Sequence, residues 1–308
     1  MLLFTHQRCL DHRMQPEHPE SPERLRAIMD YLESSGLLQL MEVRDATPAS
    51  ERQLRLVHDN AHLQNLQNLA RLTPRAGLVE VDPDTFMCPA TLDAATLAAG
   101  AVADAVAAVL AGEDARAFCA VRPPGHHAEA GRAMGFCFYN NVAVGAAAAL
   151  EHPDIDRVAI LDFDVHHGNG TVDIFRDRPD VLVCSSFQHP FYPNRGADVL
   201  RDHLVFTPLP AGCGGTAFRQ AIEADWLPAL ARHRPQLILV SAGFDGHRLD
   251  PLAELRLVEA DYRWVTQLIV AAANRFSGGR VVSTLEGGYD LAALPRSVGA
   301  HLEALAAG

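Results

Sequence analysis

The chain has 308 residues, of which 48% are hydrophobic and 21% are charged, so most of it is expected to fold, as one large domain or two small ones. The 38 acidic residues outnumber the 26 basic ones and give a net charge of −12, which argues against a non-specific hold on nucleic acid or on an anionic membrane. Every basic residue is an arginine, and the absence of lysine excludes a Schiff-base lysine, a pyridoxal-phosphate enzyme and a P-loop lysine.

The cysteines and the apolar runs exclude further classes of protein. The six cysteines form no C-x-x-C pair, so neither a structural zinc knuckle nor a disulfide framework is expected. The first apolar run is too short for a signal peptide, and no stretch approaches about 18 uninterrupted apolar residues. We therefore expect a soluble, intracellular chain without a membrane span.

Helices and strands alternate along the chain. Helices are predicted over residues 22–42, 91–111, 138–150, 216–233 and 254–276. Continuous apolar runs predict strands at residues 115–121, 158–163, 181–187, 237–242 and 280–285. Such alternation is typical of a parallel sheet that helices cover on both faces. The predicted fold class is therefore α/β, a three-layer α/β/α arrangement with a central, mostly parallel sheet.

Polar side chains occur at the carboxyl ends of these five predicted strands. Ligands of open α/β sheets bind beyond that edge, so we place the active site there. In chain order the polar side chains are His126 and His127, Asp162, Asp164, His166 and Asn169, Ser185 and Ser186, Asp245, and Tyr289.

Three of these residues have the pattern of a catalytic metal site. Asp164 and His166 are two positions apart at a strand end, a spacing that points both side chains to one face, and Asp245 can supply a third ligand. Three protein ligands and an open position are typical of catalytic zinc, although Fe²⁺, Co²⁺ and Mn²⁺ also suit these ligands. A loop turn with a capping aspartate is the alternative interpretation. Because Gly168 and His247 stand where a second metal would need carboxylates, one metal is expected.

Acid–base groups accompany the metal pattern. His126 and His127 are suited to take a proton from water and to return one to a leaving amine. Asp162 and Asn169 flank the metal ligands and could fix the histidine tautomers. Tyr289 follows two glycines and could donate to a developing oxyanion, or could be an ordinary turn tyrosine.

Five segments together resemble the histone deacetylase family, which has the arginase–deacetylase fold. They are HPESPERL (18–25), RPPGHHAEAGRAMGFCFYNNVA (122–143), ILDFDVHHGNGT (160–171), SAGFDGHRLDPL (241–252) and LEGGYDL (285–291). They span most of the chain, and their combination is far more specific than any one of them. The resemblance implies a single deacetylase domain over residues 1–308.

The resemblance also implies roles for individual residues. Asp164, His166 and Asp245 would bind one Zn²⁺, His127 would be the general base and then the general acid, and Tyr289 would polarise the amide carbonyl. Asn169 would support His127, and Asp162 would pair with His126. Family members also hold a structural K⁺ near the zinc, and Asp162, Ser185 and Ser186 stand at those positions. Gly135, Phe136, Tyr192 and Leu252 would contact the substrate, with Phe136 and Tyr192 as walls of a narrow acyl-lysine tunnel.

Details of the resemblance bear on the substrate. Leu252 stands where polyamine deacetylases of the family place a glutamate that selects a cationic amine, so acetyl-lysine in peptides is favoured. At the rim of the tunnel, Pro193-Asn194-Arg195-Gly196 replaces the Pro-Gly-Thr-Gly that is usual in the family, so the identity of the substrate is left open.

The expected function is therefore zinc-dependent removal of acetyl, or another short acyl group, from the ε-amine of lysine in peptides or proteins by metal-activated water. The alternatives are a deacetylase of small-molecule amides such as acetylpolyamines, and a non-catalytic acyl-lysine-binding module. The expected partner is an acetylated lysine peptide or a small acetylated amine, with no nucleic acid and no membrane; a homo-oligomer is left open. A bacterial, cytoplasmic enzyme is expected.

Overall fold

The strands form one large sheet and one small hairpin. The computed structural model describes residues 1–75 and 77–307, and in these ranges it contains ten strands: β1 (Leu2–Thr5), β2 (Glu42–Asp45), β3 (Val79–Asp82), β4 (Thr85–Met87), β5 (Arg116–Cys119), β6 (Val158–Asp162), β7 (Val181–Gln188), β8 (Leu204–Leu209), β9 (Leu237–Ala242) and β10 (Val281–Leu285).

The large sheet has the order β2-β1-β5-β10-β9-β6-β7-β8, and all its neighbouring strands pair in parallel. Its inner strands are buried on both faces, which explains their continuous apolar sequences. Strand β6 lies between β9 and β7, with Asp162 opposite Ser241 on one side and Ser185 on the other. The carboxyl end of β6 therefore opens in the interior of the sheet edge, where neighbouring strands can contribute side chains.

Helices cover the sheet in two groups. The described residues contain α1 (Pro22–Ser34), α2 (Glu51–Leu54), α3 (Asn60–Leu72), α4 (Thr91–Leu110), α5 (Asn141–Leu150), α6 (Asn169–Phe175), α7 (Gly215–His233), α8 (Glu259–Phe276) and α9 (Ala293–Ala306). Helices α4, α5 and α6 pack in one row, and α1, α9, α8 and α7 pack in another. The three-layer α/β/α prediction, with its parallel sheet, is confirmed.

One helix combines length with a strongly apolar composition. Helix α4 is long and apolar enough to cross a membrane by these two criteria. Most of it is buried, however, against β1, β5, β10 and α5. It has the place of a core helix in the three-layer fold.

Three predicted helix bounds are wrong, and each has a local cause. The helix predicted over 22–42 ends at Ser34, because Gly36 takes a left-handed φ of +78° and the chain then enters a short 3-10 turn and β2. The helix predicted from 138 begins at Asn141, because the Asn140 side chain accepts a hydrogen bond from the Ala143 N–H at 3.1 Å. The helix predicted from 254 begins at Glu259, because Val258 is extended and its N–H donates to Asp261 Oδ2 at 3.0 Å, which caps the first turn.

Candidate active site

The metal triad lies in loops beyond two neighbouring strands. Strand β6 ends at Asp162, so Asp164 and His166 stand in the loop that follows it, and Asp245 follows β9. The expected strand alternation is therefore not what brings Asp164 and His166 together. The loop turns on itself, and the His166 N–H donates to Asp164 Oδ1 at 2.9 Å.

The three side chains converge on one point. His166 Nδ1 lies 3.1 Å from Asp164 Oδ1 and 3.1 Å from Asp245 Oδ2. One ligand atom from each residue lies within 4.8 Å of the others, and all three residues are buried. Their second oxygens are held by the backbone, since Asp245 Oδ1 accepts from the Val165 N–H at 2.9 Å and Asp164 Oδ2 accepts from the Gly287 N–H at 2.9 Å. Each carboxylate is therefore held by a backbone N–H, and Asp164 Oδ1, Asp245 Oδ2 and His166 Nδ1 face one another.

The charge of this cluster suits a cation. Burial by itself would lower the pKa of His166, but the two carboxylates outweigh it and raise the pKa to about 10. Two buried carboxylates on one imidazole thus need a positive charge between them, from a proton or from a metal ion. Zinc accepts this oxygen–nitrogen set, and three ligands leave it an open position.

His126 is paired with a carboxylate. Its Nδ1 lies 2.9 Å from Asp162 Oδ2, and its Nε2 lies 3.7 Å from Asp164 Oδ1. Burial would lower the pKa of His126, but Asp162 and Asp164 outweigh it and raise the pKa well above its usual value. His126 is therefore suited to hold a proton beside the triad.

His127 has a neutral partner instead. Its Nδ1 lies 2.8 Å from Asn169 Oδ1, and Asn169 Nδ2 donates to Glu129 Oε1 at 2.8 Å. With its amide nitrogen engaged by a carboxylate, Asn169 presents its oxygen to His127, so His127 Nδ1 carries the hydrogen and Nε2 is free to accept a proton. Burial, together with the nearby His126 and His166, lowers the pKa of His127 well below its usual value.

Tyr289 is held in position by a hydrogen bond from its own backbone. Its N–H donates to Asp250 Oδ2 at 2.7 Å, and Asp250 Oδ1 accepts from the Leu252 N–H at 3.0 Å. One carboxylate thus joins the loop of Leu252 to the loop of Tyr289. Desolvation raises the pKa of the Tyr289 phenol well above its usual value, so the phenol keeps its proton and can donate it in a hydrogen bond.

The predicted tunnel residues lie beside these groups. Phe136 stands edge-on to Tyr289 with ring centroids 5.9 Å apart, and Tyr192 stands edge-on to His127 at 5.2 Å. Gly135 has a φ of +56°, and a Cβ there would lie 2.5 Å from the His127 ring, so only glycine lets this backbone approach so closely. The structure thus brings the two predicted wall residues, and the Gly135 backbone, to the two proposed catalytic side chains.

The residues expected to hold potassium also lie together. Asp162 pairs with Ser185 across β6 and β7, and Ser186 Oγ donates to the Asp162 carbonyl at 3.5 Å. Ser185 Oγ lies 3.1 Å from His167 Nδ1. The structure brings these oxygens to one place, and the potassium itself stays a prediction.

Sequence reasoning missed several residues that hold the site in shape. Glu286 accepts from the Gly125 N–H at 2.7 Å and the His126 N–H at 3.2 Å, and from Ser241 Oγ at 3.0 Å. It is fully buried, and burial raises its pKa to about 7. Its place just before the two glycines was visible in the sequence, but its partners are not adjacent in the chain.

A second missed group lies behind the Tyr289 loop. Arg24 is fully buried and donates to the Gly288 carbonyl at 2.6 Å and to the Glu286 carbonyl at 2.5 Å. Its guanidinium also stacks on the Tyr289 ring at 4.8 Å. The segment HPESPERL contains Arg24, so the signal was present, but nothing local in it reveals a partner 264 positions away.

One residue of the hairpin supports the tunnel wall. Thr85 in β4 accepts a hydrogen bond from the Phe136 N–H at 2.9 Å through Oγ1, which itself donates to Asp84 Oδ1 at 2.8 Å. Phe136 has an unusual φ of +70°, so this contact stabilises a strained backbone. The hairpin was absent from the predicted elements.

Fold and site together define a hydrolase class in which a buried metal centre lies at the carboxyl edge of a parallel sheet, beside paired histidines. The profile of the histone deacetylase domain matches residues 18–305, and the chain belongs to the histone deacetylase family. Members of this family are zinc-dependent hydrolases that act on amide bonds. The chain is a hydrolase of this class, and Asp164, His166 and Asp245 form a possible metal-binding triad in it.

Relatives agree with this assignment. A histone deacetylase-like amidohydrolase of Pseudomonas aeruginosa is 41% identical over 285 residues, which cover 90% of this chain and 74% of that protein. The mouse polyamine deacetylase HDAC10 is 38% identical, over 91% of this chain and 43% of that protein. The crystal structure of the HDA15 HD domain superposes with a TM-score of 0.92 and 32% identity, over 100% of this chain and 91% of that one.

Proposed function

We propose that this protein removes acetyl, or another short acyl group, from the ε-amine of lysine in peptides, with one Zn²⁺ held by Asp164, His166 and Asp245. The observation that carries the proposal is the pair of differently supported histidines beside a convergent Asp–His–Asp cluster. A zinc ion bound there would act as a Lewis acid toward the amide carbonyl and make water a stronger nucleophile.

The side chains of this chain supply the proton transfers. His127 has a free Nε2, so it takes a proton from the attacking water and afterwards returns it to the departing amine. Asn169 keeps the His127 tautomer fixed throughout, and His126, paired with Asp162, holds positive charge nearby. Tyr289 donates a hydrogen bond to the oxyanion that forms at the carbonyl carbon.

The aromatic side chains of Phe136 and Tyr192 suit a substrate with a narrow, extended stem. Phe136 and Tyr192 lie edge-on to the catalytic side chains, so an extended acyl-lysine stem between them would be held by apolar contacts. The Gly135 carbonyl accepts a hydrogen bond from the Cys137 thiol at 3.2 Å, and its second lone pair is available for the substrate amide N–H. Asp250 accepts hydrogen bonds from the N–H groups of Leu252 and Tyr289, so it holds the Leu252 loop close to the Tyr289 loop. We therefore place the apolar Leu252 at the mouth of the tunnel.

An acetylpolyamine is the second candidate substrate. The net charge of −12 attracts cationic substrates, and a polyamine deacetylase is among the relatives. Against it, Leu252 offers no carboxylate to select a cationic amine.

Initial rates of the zinc-loaded protein on an acetyl-lysine peptide and on N-acetylputrescine distinguish the two. We expect faster turnover of the peptide, and we expect Leu252→Glu to shift the kcat/KM ratio toward N-acetylputrescine by about tenfold, since one well-placed charged contact contributes roughly that much. Leu249→Glu, in the same loop and 47% exposed, is the matched control and should leave the ratio unchanged. Faster turnover of N-acetylputrescine by the unaltered protein would reject the lysine proposal and leave the amidohydrolase chemistry in place.

A further inference from the structure

A second cavity lies outside the proposed tunnel. It has a volume of about 550 Å³ and lies between the ends of β7 and β8 and the segment 189–198. Its apolar lining includes Phe187, Phe191 and Phe206. None of the residues proposed to bind zinc or transfer protons belongs to its lining, and neither do the tunnel walls Phe136 and Tyr192, although the rim segment 193–196 forms part of it. Phe191 also stacks on His166 with centroids 5.5 Å apart, so one aromatic ring separates the cavity from the metal triad.

One buried polar group of this cavity has no partner. His167 lines the cavity and is 2% exposed, and its Nε2 lies near the Gly196 backbone but makes no hydrogen bond of normal geometry to any described residue. Its ring is flanked by Phe187, with centroids 4.3 Å apart, and by Phe206 at 4.8 Å. An unpaired polar atom in such apolar surroundings costs free energy unless a ligand or a water satisfies it.

The other nitrogen of His167 determines what Nε2 offers. His167 Nδ1 lies 3.1 Å from Ser185 Oγ, and Ser185 is fully buried. We assign the Ser185 hydroxyl as the donor to Nδ1, because its oxygen lone pairs are predicted to face the potassium ion, and with this assignment Nε2 carries the hydrogen. The cavity therefore presents a hydrogen-bond donor between two phenyl rings, and its occupant must bring an acceptor oxygen.

The charges around the cavity favour an uncharged occupant. Arg195 lines it, but its Nε lies 3.2 Å from Glu129 Oε1, so its charge is already paired. Asp198 lines the same cavity and would repel a carboxylate. We propose that this cavity is a second ligand site, which binds an uncharged aromatic carbonyl compound with its ring among the three phenylalanines and its oxygen on His167 Nε2.

Fluorine NMR on the full-length, zinc-loaded protein tests the proposal with 4-fluoroacetophenone as the probe. Its matched control is 1-ethyl-4-fluorobenzene, which has the same ring and nearly the same shape but no acceptor. We expect saturable binding of the ketone, with the ethyl compound at least about fivefold weaker, as one net hydrogen bond predicts. We also expect saturating acetohydroxamate, which binds metal in the tunnel, to leave the affinity for the ketone unchanged.

Two variants locate the site. Ala197→Phe fills the cavity from its lining and should abolish binding, and His167→Phe keeps a ring but removes the donor and should bring both probes to the same affinity. Thermal melting shows whether each variant is folded, and Ala197→Phe still tests the site if His167→Phe is not. The proposal is overturned by an absence of saturable binding, by equal affinities of the unaltered protein for the two probes, by unchanged binding in a folded Ala197→Phe variant, or by displacement with acetohydroxamate.

Discussion

Glu20 offers a quantitative test of how the site is held together. Its carboxylate is fully buried and accepts two hydrogen bonds from Arg122, at 2.6 and 2.7 Å, and a third contact from Arg24 at 3.3 Å. Burial by itself would raise the pKa of Glu20, but Arg122 and His12 outweigh it and hold the pKa well below its usual range. This depressed pKa stabilises the fold at every pH above the unfolded value near 4.3 and is lost as the pH falls through the folded value.

The variant Glu20→Gln keeps the shape and removes the charge. Two buried guanidiniums then lack their anion, and breaking a buried pair from one side costs about 3–5 kcal/mol. We therefore expect the free energy of unfolding at pH 7 to fall by about that amount. Activity should fall as well, because Arg24 would no longer be held against the carbonyl of Gly288.

Urea unfolding of the zinc-saturated protein measures this loss, and helix α1 offers a matched control. Glu23 lies one turn along, pairs with Arg26 at 2.7 Å and is 53% exposed, so Glu23→Gln should change the free energy of unfolding by less than about 0.5 kcal/mol. If Glu20→Gln and Glu23→Gln differ by less than about 1 kcal/mol, the reasoning from burial is refuted.

Three further predictions concern the catalytic edge and the core. Tyr289→Phe should lower kcat by about 10²-fold or more at unchanged zinc content, and a near-normal rate would remove the phenol from the mechanism. Gly287→Ala should lower zinc occupancy, measured by elemental analysis, because its Cβ would overlap Asp245 Oδ2; Gly214→Ala, which meets nothing within 4 Å, should retain full occupancy. His301 has both ring nitrogens hydrogen-bonded in the core, and burial lowers its pKa to about 3. Its contribution to stability should therefore decline from about pH 6.5 toward pH 3 by roughly 1.4 kcal/mol per pH unit, and His301→Asn should remove one proton from the slope of unfolding free energy against pH. An unchanged slope would contradict this.

The chemistry of the site could be predicted from short segments of sequence. Asp164 and His166 stand two positions apart directly after an apolar strand, and His126 and His127 follow another, so local order already placed them at one edge of a parallel sheet. Asp164 and His166 were expected to share a face because side chains alternate along a strand, and this reason was wrong. Strand β6 ends at Asp162, and the loop after it brings the two side chains together.

Helix ends and edge strands were harder to predict, for a different physical reason. Residues 35–42 were predicted to continue α1, yet a left-handed Gly36 ends the helix and pairing with β1 makes residues 42–45 a strand. Strand pairing at the edge of a sheet depends on a neighbour that is distant in sequence, and β2 is mostly exposed, so no apolar pattern marks it.

The sequence by itself determined the class of fold, because helices and strands alternate along it, and it predicted the metal ligands and the acid–base pair, because these residues follow apolar strands. Only the tertiary structure decided how those groups are held. Glu286 holds the His126 loop from 160 positions away, and Arg24 holds the Gly288 carbonyl from 264 positions away. A buried carboxylate or guanidinium needs hydrogen-bonding partners, and the packing of the chain decides which residues those are. Because the partners are far apart in sequence, no local sequence pattern indicates the pairing.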